Sequence, residues 1–371
     1  MEERSTRPDR RWSHPLFVVG VVLVAIVVGI AMYAVIAIPR SEAVRLWRGG
    51  PGVWEENARL AAPVWFDWFT RESLPPTTVI GLDEGTITRE AVGDGVDRVE
   101  VVLPFSYNYD RFPSELSLLI EASLDGEYAH ISLYWLRPDG KTITLQDDRH
   151  IRESHSYRIT QDMELRSELG VAPHVGLFAE EWDIPSDDME LLRGDYRLVM
   201  EAELAEAEEF LETDLVVYGR VEGWAGTDHQ RRDLGVALLW GALVALSFGT
   251  IGPAAIITGL VAIVLGVRKA RRRHAARSPR SMRAVLLPLF FLLFCAFVLA
   301  TSARDAAGLG DPLIPTWGSV IHDARMNGAL SMGLHYWVVQ PAVLIVMTGL
   351  GLALVGWSFG RIFKPKAETA E

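Results

Sequence analysis

Four long stretches of this chain carry no charged side chain: residues 16–38, 234–267, 284–301 and 337–360. They restrict the possible folds more than any average does. A helix needs about 20 mostly apolar residues to cross the hydrocarbon core of a bilayer, and there it must satisfy its own backbone N–H and C=O groups. The pattern therefore predicts a multi-pass α-helical membrane protein with about four spans. Arg4, Arg7, Arg10 and Arg11 precede the first block. That block is too long for a typical signal-peptide core, and no small-x-small cleavage site follows it, so it reads as a retained anchor. The second block is longer than one span needs and holds Gly252-Pro253 near its middle. It is expected to form an amphipathic helix at the surface followed by one span at about 248–267, kinked by the proline.

Charge is distributed just as unevenly. The chain has 371 residues and a net charge of -12, and 40 of its 48 acidic residues lie between Arg40 and Asp233, against 19 basic ones. So acidic a segment has no electrostatic attraction to nucleic acid or anionic lipid headgroups, and no nucleic-acid partner is expected. Outside it the balance is basic. The loop 268–283 holds Arg268, Lys269, Arg271, Arg272, Arg273, Arg277, Arg280 and Arg283 with no acid, and the tail 361–371 holds Arg361, Lys364 and Lys366. The bias of Lys and Arg toward the cytoplasmic side then puts residues 1–15, 268–283 and 361–371 inside the cell. Residues 39–233 and 302–336 are expected on the far side of the cytoplasmic membrane. The basic loop has two open readings, a topology signal alone or a docking surface for a cytoplasmic partner. The single cysteine, Cys295, lies within the third block and cannot form an intrachain disulfide.

Residues 39–233 are numerous enough for a core of their own. Residues 41–68 have helical spacing, with Trp47, Trp54, Trp65 and Trp68 as packing or membrane-interface residues. From about residue 97 the pattern changes to period two. Strands are expected at 99–103, 116–122, 130–136, 141–145, 196–202 and 213–219, with Pro138-Asp139-Gly140 as a hairpin turn. Strands at this spacing predict an inserted extracytoplasmic domain, all-β or α+β, resembling an antiparallel sandwich. The acidic stretch 203–212 reads as a solvated helical turn or hairpin tip, and Asp187-Asp188 after Pro185-Ser186 as a helix start. No catalytic constellation emerges. His150 and His155 with Asp147 and Asp148 match no metal-ligand frame. Nor does a phosphate-cradling glycine loop ending in Lys-Ser/Thr occur. The chain is therefore expected to be no enzyme and to need no cofactor or metal, and any ATP hydrolysis would fall to another chain.

Two stretches at the block boundaries are more specific. Gly226-Thr227-Asp228 leads to Arg232-Asp233-Leu234 and then Leu239-Trp240-Gly241-Ala242. Gly308-Leu309-Gly310-Asp311-Pro312 leads to Pro315-Thr316-Trp317-Gly318 and Asp323-Ala324-Arg325, ahead of Gln340-Pro341. Together, and in this order, they resemble the permease subunit of dipeptide, oligopeptide and nickel ABC importers. The first is similar to the Gly-Thr-Asp-x-x-Gly-Arg-Asp signature that opens the permease domain, and the second to the segment between its last two spans. Gly349-Leu350-Gly351 and Arg361-Ile362-Phe363-Lys364-Pro365 are similar to the family's usual finish.

The resemblance implies a membrane translocation path driven by cytoplasmic ATP-binding subunits. It also implies a second permease subunit and an extracytoplasmic solute-binding protein as partners, besides the lipid bilayer. Gly226, Thr227, Asp228, Arg232 and Asp233 would lie at the outer boundary, and Gly308, Gly310, Asp311, Pro315, Trp317 and Gly318 on the gate side of the path. Ala275, Ala276 and Pro288 correspond to the loop that couples to the ATPase. Three departures accompany it. Arg231 stands where the family has glycine, four spans replace the usual six, and the stretch 268–283 takes the place of two spans and the coupling loop. These departures motivate an alternative, a non-transporting relative that serves as a membrane-anchored binding or scaffold protein.

Overall fold

The computed structural model describes residues 15–93, 96–123, 129–182, 188–204, 210–271 and 279–362. In chain order its helices are α1 (Pro15–Ala37), α2 (Arg40–Arg48), α3 (Met163–Leu169), α4 (Pro173–Gly176), α5 (Leu234–Arg271), α6 (Pro279–Ala306), α7 (Trp317–Met326) and α8 (Tyr336–Ile362). Its strands are β1 (Thr78–Ile80), β2 (Thr86–Gly93), β3 (Val96–Tyr107), β4 (Glu115–Ser123), β5 (Ala129–Leu136), β6 (Thr142–Ile151), β7 (His155–Tyr157), β8 (Gly194–Leu204) and β9 (Phe210–Tyr218). The chain divides into two compact units. Trp54–Arg232 forms one, and Met1–Val53 with Asp233–Glu371 forms the other.

The second of these is helical, and α1, α5, α6 and α8 are each long and apolar enough to cross a membrane. Their outward faces are aliphatic: Ile36, Ile263, Leu292 and Val346 are each more than 60% exposed. Packing between the helices uses glycines as notches, because a missing side chain lets two helices approach closely. A Cβ on Gly20 of α1 would stand 2.9 Å from Leu354 of α8, and one on Gly351 of α8 would stand 3.0 Å from Leu23 of α1. Likewise Gly249 and Gly252 of α5 receive the rings of Phe294 and Phe297 from α6.

Two boundaries differ from the sequence expectation. The second block forms one helix, α5, which runs through Pro253 instead of dividing into a surface helix and a span. The two glycine notches lie in the turn before Pro253, so the α6 phenylalanines pack against α5 just ahead of the proline. Helix α6 also continues past its apolar block to include Arg304 and Asp305. Their side chains pair at 3.1 Å, and Asp305 accepts a hydrogen bond from Thr316 at 3.0 Å.

The other unit contains two antiparallel sheets. Four strands run in the order β1-β9-β4-β7, and five in the order β2-β3-β8-β5-β6. Period-two alternation sends one face of each strand inward, so Leu116, Leu118, Ile120, Leu215 and Val217 of one sheet share a core with Val101, Leu103, Leu133, Leu198 and Met200 of the other. An aromatic cluster anchors one end of that core. The ring of Phe178 lies 4.8 Å from Tyr196 and 5.5 Å from Trp135, and Phe105 lies 5.5 Å from Trp135. The Pro138-Asp139-Gly140 turn joins β5 to β6, with Gly140 at φ +82°. Beside it Arg137 is buried, donates to the Ala179 carbonyl at 2.7 Å and pairs with Asp139 at 3.1 Å, which ties the hairpin to the segment after α4.

Strand β6 extends to Ile151, well past the expected strand. Of the expected 203–212 tip, Glu203 and Leu204 end β8, Phe210 to Glu212 begin β9, and 205–209 lie outside the described residues, as does Asp187. The helical spacing at 41–68 resolves into α2, with Trp47 buried, and a short 3-10 turn, Val64–Phe69, with Trp68 exposed.

Truncating Trp135→Ala removes the largest side chain of the aromatic cluster and leaves a cavity. We expect a loss of about 3–5 kcal/mol in the stability of the β unit, read as an earlier loss of near-UV circular dichroism in a denaturant titration.

Candidate functional site

The residues singled out by the two boundary stretches fold into two locked junctions, one in each unit. In the β unit, Gly226 adopts φ +78° and delivers Thr227 and Asp228 into full burial. The Thr227 hydroxyl donates to the Ala58 carbonyl at 2.7 Å and accepts from the Ala61 N–H at 2.9 Å. Asp228 accepts from the backbone N–H groups of Gln230 and Arg232 at 2.8 and 2.9 Å, and from the Arg232 Nε at 2.6 Å. Its carboxylate is thus a buried acceptor with several donors, one of them a guanidinium, which is the arrangement that makes a buried charge tolerable.

Arg231, which replaces glycine in the resembled pattern, has φ +65°. The backbone here takes the left-handed conformation that glycine adopts freely, and for an L residue it costs on the order of 1–2 kcal/mol. The side chain offsets that cost. Arg231 donates to the Asn57 carbonyl at 2.6 Å, pairs with Glu115 and lies 4.2 Å over the Tyr218 ring. Asp233 follows at the start of α5, where its carboxylate accepts from the Gly235 N–H at 2.7 Å. Burial pushes the Asp233 carboxyl above the usual range, with the Gly235 amide pulling the other way.

In the helical unit, the second stretch closes over the end of α6. Gly308 turns the chain at φ +80°, and a Cβ there would sit 2.5 Å from His322. Added Cβ atoms on Gly310 and Gly318 would sit 2.6 Å from Asp305 side-chain atoms, so both glycines let the backbone lie directly on that buried carboxylate. Asp311 accepts from the Leu313 N–H at 2.9 Å and shapes the turn before the buried Pro315. Thr316 then caps α7 reciprocally with Ser319, a capping box. Trp317 is buried against Gly241 of α5, and its indole N–H donates to the Leu238 carbonyl at 2.9 Å. Here residues far apart in the sequence, Gly241 from the first stretch and Trp317 from the second, form one contact. Asp305 was not among the expected site residues. The sequence sign of it is an acid three residues before Gly308.

Of the residues matched to the coupling loop, Ala275 and Ala276 lie outside the described residues. Pro288 is inside α6, where Gly360 of α8 packs against it. The junctions are built from turns and helix starts fixed by buried hydrogen bonds. They hold backbone positions rigidly. Elsewhere in the β unit the structure brings His150 and Asp148 together with His130, whereas His155 lies on β7 in the other sheet.

No protein-family model matches the chain, and no curated protein matches it. Matching solved structures include a chain described under a chaperone–tip adhesin complex vital for synergistic activation of CFA/I fimbriae biogenesis, at 12% identity and a TM-score of 0.18 over 38% of this chain. They also include a carbohydrate-binding module of the β-sandwich superfamily, at 11% identity and a TM-score of 0.17 over 44% of this chain. This chain covers 41% and 62% of their respective lengths. At such scores neither structure bears on function.

Substituting Arg232→Ala strands the Asp228 carboxylate in the interior. A loss of about 3–5 kcal/mol is expected, whereas Asp228→Asn with Arg232→Met, which removes both charges, costs less. Urea denaturation of the two variants beside the parent protein measures the difference.

Proposed function

We propose that this chain is a membrane-embedded permease subunit of an ABC-type importer for peptides or a related small solute. It forms part of the translocation path, and separate cytoplasmic subunits bind and hydrolyse ATP. A second permease subunit and an extracytoplasmic solute-binding protein complete the assembly. The observation that carries this reading is the Gly241–Trp317 contact, in which the two stretches resembling the family's permease meet in space. A chance match in two unrelated segments has no reason to place a large side chain from one in a glycine notch from the other. Arg231 is compatible with this reading, because at the position of the family's glycine the backbone has φ +65°, a conformation that glycine adopts freely.

The four apolar helices support a membrane setting. Their outward aliphatic faces are unfavourable in water and neutral in lipid. The basic segments support a topology with both termini and the α5–α6 connection on the cytoplasmic side of the cell membrane, and the β unit and residues 302–336 outside. In that topology the acidic sandwich faces the compartment from which solute arrives.

A second reading is favoured by one specific observation. Only residues 272–278 separate α5 from α6, which leaves no room there for two further spans and a coupling helix. On that reading the chain is a non-transporting relative that displays its β unit as a binding or scaffold module.

Purification of the complex from native membranes, with identification of its subunits and reconstitution into liposomes, separates the two. Co-purifying ATP-binding subunits and ATP-driven peptide uptake that depends on this chain support the permease. A complex lacking ATP-binding subunits, with peptide uptake intact in a deletion strain, overturns it. Topology is read separately by thiol labelling in a Cys295→Ser background. Glu153→Cys is expected to react from outside intact spheroplasts and Ala275→Cys only after permeabilisation, whereas reaction of both from the same side contradicts the proposed orientation.

A further inference from the structure

On the outer face of the five-stranded sheet, a row of polar residues crosses the strands. Arg98 of β3 is paired in register with Glu203 of β8, Glu203 with His130 of β5, and His130 with His150 of the edge strand β6. Direct cross-strand partners share a face, so the two imidazoles stand side by side, with ring centroids 4.2 Å apart. Asp148 lies two residues before His150. Between the pairs Ile131–Arg149 and Leu133–Gln146 the register shifts, so Asp147 and Asp148 together oppose Ser132, which is a β-bulge. Within the bulge Asp148 takes φ +45°, and its N–H donates to the Ser132 hydroxyl at 3.2 Å. That conformation aims the carboxylate at His130, with 2.7 Å between Asp148 Oδ1 and His130 Nδ1.

We propose that His130, Asp148 and His150 form a binding site for one divalent transition-metal cation of the kind that prefers imidazole and carboxylate ligands. Each residue offers one ligand atom, and all these atoms lie within 4.8 Å of one another. Two ligand atoms bound to one ion at about 2.0–2.2 Å stand roughly 3 Å apart, so the His130–Asp148 pair is already near ligand spacing. The side chains are exposed, which leaves the remaining coordination positions open to water.

The surroundings favour a cation. Glu203 flanks the row, and Arg98 engages it at 3.0 Å. The domain as a whole is strongly acidic, which concentrates cations at its surface. Two imidazoles and one carboxylate suit zinc, copper or nickel better than calcium or magnesium, which select all-oxygen sites. A bound ion would cross-link β6, a bulged strand at the sheet edge, to its neighbour β5. The site lies on the β unit and does not depend on the permease reading.

The test uses the untagged full-length chain in detergent micelles, stripped with a chelator and titrated with Zn2+ by calorimetry. One Zn2+ per chain is expected to bind saturably and to raise the unfolding temperature. His130→Ala and His150→Ala should each weaken binding by at least about tenfold, and His155→Ala should leave it unchanged. His130→Gln and His150→Gln repeat the comparison with side chains of similar size, and circular dichroism confirms the fold of each variant. Absence of saturable binding to the parent protein, or equal affinity in folded variants that lack both His130 and His150, overturns the proposal.

Discussion

The helical unit depends on how bare helices fit together. Helices long and apolar enough to cross a membrane gain no hydrophobic advantage by associating in a bilayer, because lipid tails are as apolar as leucine. What holds them is close contact, and in this chain the contact is made by glycines. Gly20 and Gly351 let α1 and α8 approach nearly backbone to backbone, while Gly249, Gly252 and Gly356 accept the phenylalanines of α6. The same device recurs at Gly241, where the guest is Trp317, and at Gly318, which lies against Ser302 and Asp305. The residues that resemble a permease signature are thus an extension of the packing rule that organises the bundle.

The two junctions follow one electrostatic logic. Each buries a carboxylate: Asp228 accepts from the turn at Gln230 and Arg232, and Asp305 from Arg304 and from Thr316 at the start of α7. A carboxylate buried without partners would be very costly, so each one enforces the geometry of the loop that satisfies it. The groups at these junctions set backbone shape.

Much of this was legible in the sequence. The uncharged blocks gave the four long helices closely, because apolar length is a property of consecutive residues. The alternation in 130–136 and 196–202 found the central strands, and Pro138-Asp139-Gly140 found the hairpin. The continuity of α5 through Pro253 was not legible, since a proline inside a long apolar block is read as a kink or a break. Nor was the role of Asp305, whose partner Thr316 approaches only after the glycine turn. His155 and Asp147 looked equivalent to His150 and Asp148 along the chain. The sheet register and the bulge opposite Ser132 separated them and added His130.

The amino-acid order alone determined the segregation of apolar and acidic material, the periods of helix and strand, and the positions of the turns, because each of these depends on neighbours within a few residues. The fold decided which distant side chains meet: Trp317 with Gly241, Arg231 with Asn57 and Glu115, His130 with His150. Such meetings depend on register, crossing points and backbone conformations with positive φ. Those are set by the packing of whole elements and leave no periodic trace in the sequence.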